Sequence, residues 1–151
     1  MDVYARLKEL NLNLPTPPPT GGIFKPVRQV GNCLYVSGQG PTIDGKPVIT
    51  GKVGTERTLE EGQEAAKMCA LNALACLQVF LGDLNKIKSL IKTLGLVQSA
   101  DGFSQQPQVI NGASGLFKEI WGEDGVGARS ALGVNELPGN ISVEIEFIFE
   151  V

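Results

Sequence analysis

The sequence contains no histidine among its 151 residues. Imidazole is the commonest general base near neutral pH and the commonest metal ligand in proteins. Its absence excludes Ser-His-Asp and Cys-His catalysis, and any zinc site with imidazole ligands. Chemistry must therefore come from carboxylates, Arg, Lys, Tyr, Cys or backbone amides.

Cysteine is also scarce, with Cys33, Cys69 and Cys76 alone and no CxxC pair. An odd number of scattered cysteines does not indicate a disulfide framework, and it favours a reducing compartment. We therefore expect a cytoplasmic protein. Cys69 and Cys76 are seven residues apart in a predicted helix, where they most simply act as small buried apolar residues.

Positive charge and long apolar runs are limited as well. The net charge is -3 and the sequence pI about 5.0, so no broad basic face is expected and a nucleic-acid partner is disfavoured. No signal peptide opens the sequence, and the longest apolar stretch, residues 68–81, is short and interrupted by polar residues. We therefore expect no membrane partner.

The length suits one domain over residues 1–151, with a helical and proline-rich extension at residues 1–22. A capping box at Thr58 and Glu61 predicts the start of a long helix. The pattern predicts helices at 2–10, 58–81 and 107–121, a loop at 42–54, and strands at 25–30, 33–37, 86–97, 129–134 and 141–151.

After the extension, the predicted order is β-β-α-β-α-β-β. It favours a two-layer α+β sandwich, in which two helices pack on one face of a mixed β-sheet whose neighbouring strands are mostly hairpin-linked. We expect Leu94 and Leu96 of the third strand to point inward. The other face of a two-layer sheet is bare, and trimers or other closed assemblies commonly cover such a face.

Three features could carry chemistry. Arg129 follows a glycine-rich loop and opens an apolar strand, so its guanidinium could bind a carboxylate or phosphate. Glu144 and Glu146 share one strand face, and their repulsion could raise one pKa. The glycines after Ser37 could let backbone approach a ligand. By position alone, a surface salt bridge explains Arg129 more simply, and a solvated strand face explains Glu144 and Glu146 more simply.

Two segments carry a resemblance to a known family. NCLYVSGQGP at residues 32–41 and ARSALGVNELPGNISVEIE at residues 128–146 resemble the RidA/YjgF family. The spacing from Arg129 to Glu144 matches the family pattern, and the resemblance extends from about Phe24 to the C-terminus. The chain is most similar to a longer subgroup often labelled "putative endoribonuclease" or "translation inhibitor".

The resemblance implies a chorismate-mutase-like fold and a homotrimer with sites in clefts between subunits. It implies a deaminase that hydrolyses reactive enamines and imines to 2-keto acids and ammonia, without metal or cofactor. The ligand would be a small carboxylate-bearing imine or keto acid. Arg129 would bind the carboxylate, Glu144 would activate water or relay a proton, and Asn111, Ser37 and Gly38 would line the site.

The sequence departs from the family pattern at three site positions. Phe24 stands where family deaminases often carry tyrosine, Ala131 replaces a cysteine, and Gly127 replaces a proline. Phe24 would still contact the ligand but has no hydroxyl to order water. These departures leave open a non-catalytic protein of the same fold that binds small anions or keto acids. Endoribonuclease or translation-inhibitor activity is a further alternative.

Overall fold

A computed structural model describes residues 2–151, and its elements follow the predicted order with one small addition. The helices and strands in chain order are α1 (Val3–Glu9), β1 (Val27–Val30), β2 (Cys33–Gln39), β3 (Thr42–Ile43), β4 (Lys46–Pro47), α2 (Leu59–Leu81), β5 (Ser89–Gln98), α3 (Gln106–Trp121), β6 (Ala128–Val134) and β7 (Val143–Glu150). The addition is the β3–β4 hairpin, which lies in the stretch predicted as a loop.

The other five strands form one mixed sheet in the order β1-β2-β7-β5-β6. β5 and β6 are parallel, and the remaining neighbours are antiparallel. α2 and α3 pack against each other and against one face of this sheet. The predicted fold class is therefore confirmed. The expectation of mostly hairpin-linked neighbours is wrong, because β5 connects to β6 through α3, and β7 returns to the middle of the sheet.

The core lies between the helices and the sheet. α2 begins at the predicted capping box, in which the amide of Glu61 donates to the Thr58 hydroxyl and the Thr58 amide donates to the Glu61 carboxylate. The side chain of Phe117 on α3 packs edge-on against Phe147 and Phe149 of β7, with ring centroids 5.1 and 5.4 Å apart. This packing fixes α3 over the centre of the sheet.

The side chains of β5 point in the direction opposite to the prediction. Thr93 and Gly95 face the helices and are buried, whereas Leu94 and Leu96 are half-buried on the other face. A β-carbon at position 95 would lie 2.5 Å from Ile110 of α3. Because the helix is so close, the helix-facing side of this strand has room for small residues only, and the leucines turn away.

The face of the sheet away from the helices is open and partly apolar. Tyr35 is 46% exposed and Leu132 is 51% exposed, and the register places them on the same face as Leu94, Leu96 and Ile148. Two of these apolar side chains are exposed and three are half-buried, and the register places Glu144 and Glu146 among them on the same face. An open sheet face that carries several apolar side chains is a candidate interaction surface. We call this set of five apolar residues the open face.

α2 has the length and composition of a membrane-spanning helix. More than half of its most apolar part is buried inside the fold, where the small side chains of the helix meet the sheet and α3. The helix therefore behaves as the core helix of a globular α+β fold.

The N-terminal extension is attached to the rest of the protein. Val3 and Leu7 of α1 are buried in the core. The Tyr4 hydroxyl accepts from the Leu84 amide at 2.9 Å and donates to the Gln78 side chain at 2.5 Å. The proline-rich segment that follows α1 is thus held at one end by α1 and at the other by β1.

Candidate functional site

Arg129 lies near the start of β6, beside Thr93 of β5 and on the helix-facing side of the sheet. Its Nη1 donates to the side-chain oxygen of Asn111 at 2.7 Å and to the Ser114 hydroxyl at 3.2 Å. Both partners are neutral and lie about one turn apart in the middle of α3. Neither partner balances the charge of the guanidinium, and its remaining N–H groups can donate to a ligand.

Arg129 opens onto a cavity of about 330 Å³. Lys118 of α3 lines the same cavity, together with the backbone of the loop 125–127. Among residues 2–151, no carboxylate lines it, and Arg129 makes no ion pair. The cavity is thus positively charged and suits an anion. We call it the arginine cavity.

The position of Arg129 depends on Gly127, whose backbone lies close to the backbone of β5. A β-carbon at this position would lie 2.7 Å from the Leu90 carbonyl oxygen and 2.8 Å from that of Ile91. The absence of a side chain lets the chain enter β6 directly against β5. Glycine, which replaces the proline of the family pattern at position 127, is therefore required here by the packing of the backbone.

Glu144 lies on β7 beside a second cavity, of about 380 Å³. A β-carbon at Gly38 would lie 3.0 Å from the carboxyl carbon of Glu144, so the two residues are in direct contact. Burial raises the pKa of the Glu144 carboxyl, and the nearby charge of Glu146 raises it further. The predicted repulsion is present, but burial, which the sequence did not indicate, is the larger cause. We call this the glutamate cavity.

Two further predicted site residues lie near the glutamate cavity. Phe24 lines it and is 53% exposed. Ser37 does not line either cavity in this chain; its hydroxyl donates to the Lys25 carbonyl at 2.6 Å. Its contribution here is to hold the segment that carries Phe24 against β2.

Within one chain, the structure does not bring Arg129 and Glu144 together. Glu144 alternates along β7 with Val143 and Ile145, which point into the core, so its side chain is on the opposite face of the sheet from Arg129. The chain carries two separate groups of predicted residues, Arg129 with Asn111 and Glu144 with Gly38 and Phe24. A site containing both groups requires two copies of the chain.

Sequence reasoning missed two residues of the arginine cavity, Ser114 and Lys118. They follow Asn111 by three and seven residues, the spacing of one helix face. That spacing could have identified both residues from the sequence, because it places them on the same helix face as Asn111. The prolines at 18 and 19, which line the glutamate cavity, gave no local signal, since they are distant in sequence from Glu144.

Comparison with known proteins places the whole fold in one family. Residues 4–150 match the family model described as "YjgF/chorismate_mutase-like, putative endoribonuclease", so the match includes the extension. Protein TCP17 of Trypanosoma cruzi is 37% identical over 150 residues, covering 99% of this chain and 94% of that protein.

Two crystal structures are similar over all or most of their length. The protein Atu1372 of Agrobacterium tumefaciens, described as having unknown function, is 45% identical with a TM-score of 0.91, covering 99% of this chain and 92% of that one. A "putative endoribonuclease" of Shewanella oneidensis is 30% identical with a TM-score of 0.95, and each chain is covered completely. The protein therefore belongs to the RidA/YjgF family.

Proposed function

We propose that the protein is an enamine and imine deaminase that hydrolyses amino-acid-derived 2-imino acids to 2-keto acids and ammonia in the cytoplasm. The observation that carries the proposal is the unpaired Arg129 guanidinium in a cavity without carboxylates. A fixed guanidinium fork matches the two oxygens of a substrate carboxylate. Asn111 and Ser114 orient the fork by occupying one nitrogen only.

Glu144 supplies the proton-transfer group. In the proposed reaction, water adds to the imine carbon while the C=N electron pair moves to nitrogen, which takes up a proton. The hydroxyl of the adduct then gives its proton to nitrogen through Glu144, the C–N bond breaks with its electron pair on nitrogen, and ammonia leaves the keto acid. Glu144 accepts the proton from water and returns it to nitrogen. A carboxyl with a raised pKa is suited to both steps near neutral pH.

The two cavities would complete each other across a subunit boundary. Since Arg129 and Glu144 lie on opposite faces of one sheet, the substrate would bind to Arg129 of one copy and Glu144 of the next. We propose a homotrimer in which the open face is buried. A closed ring of three identical chains repeats the same contact three times and leaves no copy of the open face uncovered.

The test is a turnover assay with imines formed in place by an amino-acid oxidase. The wild type should release keto acid faster than the uncatalysed reaction. Arg129→Lys keeps the charge but loses the fork, and should lower kcat/KM by about 10- to 100-fold; Arg129→Ala should lower it further. Glu146→Gln, on the same strand but outside the cavity, is the matched control for Glu144→Gln when both are measured at the pH of maximal activity. No wild-type rate above Arg129→Ala would end the enzymatic proposal.

A second proposal is a protein that binds keto acids without turnover. Phe24 favours it, because a phenylalanine beside Glu144 offers no hydroxyl to hold a water molecule. Calorimetry would then show 2-keto acid binding that depends on Arg129, with no keto acid released in the turnover assay. Phe24→Tyr should raise turnover if the hydroxyl is the missing group.

Endoribonuclease activity is a third proposal, supported by the names carried by the family model and by the Shewanella protein. The net charge of -3 and the absence of histidine argue against it. Cleavage of single-stranded RNA by the wild type, abolished in Glu144→Gln, would support it.

A further inference from the structure

The glutamate cavity is walled by rigid apolar residues. Five of the nine prolines in the sequence line it. Glu144 is the one charged residue among its lining residues within 2–151. A region of this kind accepts an uncharged, apolar group, since a charged group would be desolvated there without a partner.

Two of these prolines, Pro18 and Pro19, belong to the N-terminal extension, and Thr20 extends the same wall. A β-carbon at Gly45 would lie 2.9 Å from the Pro19 ring, so the extension packs closely on the β3–β4 turn. The extension is therefore part of the cavity, although it is more than 120 residues from Glu144 in sequence.

The surface that supports this wall is itself fixed. The buried side chain of Asn72 on α2 donates to the carbonyl oxygens of Gly40 at 3.0 Å and Thr42 at 3.1 Å. These bonds hold the hairpin on which Pro19 rests. With α1 anchored in the core at one end, the wall has little freedom to retreat from a bulky ligand.

We propose that the segment 18–20 sets which imines the enzyme accepts. In this proposal, which rests on the deaminase function above, the substituent on the imine carbon lies in the glutamate cavity while the carboxylate lies on Arg129 of the neighbouring copy. The substrate class is 2-imino acids with uncharged, apolar side chains, and the proline wall sets their upper size.

The experiment compares kcat/KM for imines formed from alanine, leucine, phenylalanine and aspartate. For the wild type, the aspartate-derived imine should react at least about tenfold more slowly than the leucine-derived one, because its second carboxylate has no partner. The double variant Pro18→Ala/Pro19→Ala should raise the phenylalanine-to-alanine ratio by about fivefold, since it removes two rings from the wall.

Two further variants separate an effect on the cavity from a general disturbance of the N-terminal extension. Thr20→Trp should lower the phenylalanine-to-alanine ratio, because Thr20 is exposed and a larger side chain would narrow the cavity. Pro17→Ala is the matched control, since Pro17 does not line the cavity, and should leave the ratio unchanged. A ratio that stays constant in both wall variants, Pro18→Ala/Pro19→Ala and Thr20→Trp, or equal rates for aspartate and leucine imines, would overturn the inference.

Binding of the corresponding 2-keto acids, measured by calorimetry on the same variants, separates this inference from the deaminase proposal. If the wild type turns over no imine but the keto-acid affinities follow the predicted order and shift in the variants, the specificity inference stands and the catalytic one fails. If turnover is present but neither rates nor affinities depend on segment 18–20, the deaminase proposal stands and the specificity inference fails.

Discussion

Arg129 and Glu144 lie on opposite faces of the same five-stranded sheet, three register positions apart along β5, which pairs Thr93 with Arg129 and Leu96 with Glu144. A single chain therefore cannot bind one small substrate with both side chains. This relationship makes oligomer formation a requirement of the proposed chemistry, and it determines which experiments are informative.

The Asn111 amide should control how well the guanidinium is oriented. Asn111→Ala removes the 2.7 Å hydrogen bond to Arg129 and should weaken keto-acid binding by about fivefold, corresponding to about 1 kcal/mol for one hydrogen bond. Asn13→Ala, a similar change at an exposed position outside both cavities, should have no effect. Calorimetry with a 2-keto acid measures both. Equal affinities for the two variants would show that Asn111 does not position Arg129.

The raised pKa of Glu144 should appear in the pH dependence of catalysis. Because the charge of Glu146 contributes to raising it, Glu146→Gln should move the acidic limb of the kcat/KM profile to lower pH while maximal activity is retained. An acidic limb that does not move in Glu146→Gln would mean that another group controls it.

The same pKa shift has a consequence for stability. A carboxyl whose pKa is higher in the folded state stabilises the fold when protonated, and this contribution is lost as the pH rises through the raised value. Glu144→Gln should therefore be more stable than the wild type at neutral pH, and the difference should vanish below about pH 4, near the ordinary pKa of a glutamate. Chemical denaturation at several pH values measures it; a constant difference would contradict the assigned shift.

Gly127 should be intolerant of substitution. Gly127→Ala places a methyl group within 2.8 Å of two backbone carbonyls of β5 and should lower the free energy of unfolding by about 1–3 kcal/mol. Gly115→Ala is the contrasting control, because its β-carbon would meet nothing within 4 Å in the interior of α3, where alanine is favoured by about 0.5–1 kcal/mol. A neutral Gly127→Ala would show that the entry into β6 is not closely packed.

The open face should mediate assembly. Leu132→Glu places a charge on this face and should shift the protein from trimer to monomer, as measured by analytical ultracentrifugation. Val79→Glu introduces the same charge at another exposed apolar position, 72% exposed on α2, and should leave the oligomer intact. A wild type that sediments as a monomer would remove the assembly on which the proposed site depends.

Local sequence signals predicted most of the elements. The Thr58–Glu61 capping box predicted the start of α2, and the alternation of apolar and polar residues from Ile141, broken only at Ile148, predicted β7. Glu144 could be identified as a candidate because it shares one face of that strand with Glu146. Arg129 could be identified because it follows a glycine-rich loop.

Other features could not be predicted because they depend on contacts distant in sequence. β5 is apolar on both faces, so alternation alone does not fix its direction; the closeness of Ile110 to Gly95 decides it. The insertion of β7 between β2 and β5 is likewise a long-range pairing. The wall at residues 18–20 is defined by packing on Gly45, which no local pattern encodes.

The most direct test of the central claim mixes two inactive variants. Arg129→Ala and Glu144→Gln, refolded together in equal amounts, should form assemblies in which some boundaries pair an intact Arg129 with an intact Glu144. Random association in a ring predicts recovery of about a quarter of wild-type activity, while each variant alone stays inactive. Absence of any recovery from mixed assemblies of confirmed composition would contradict a site shared between neighbouring copies.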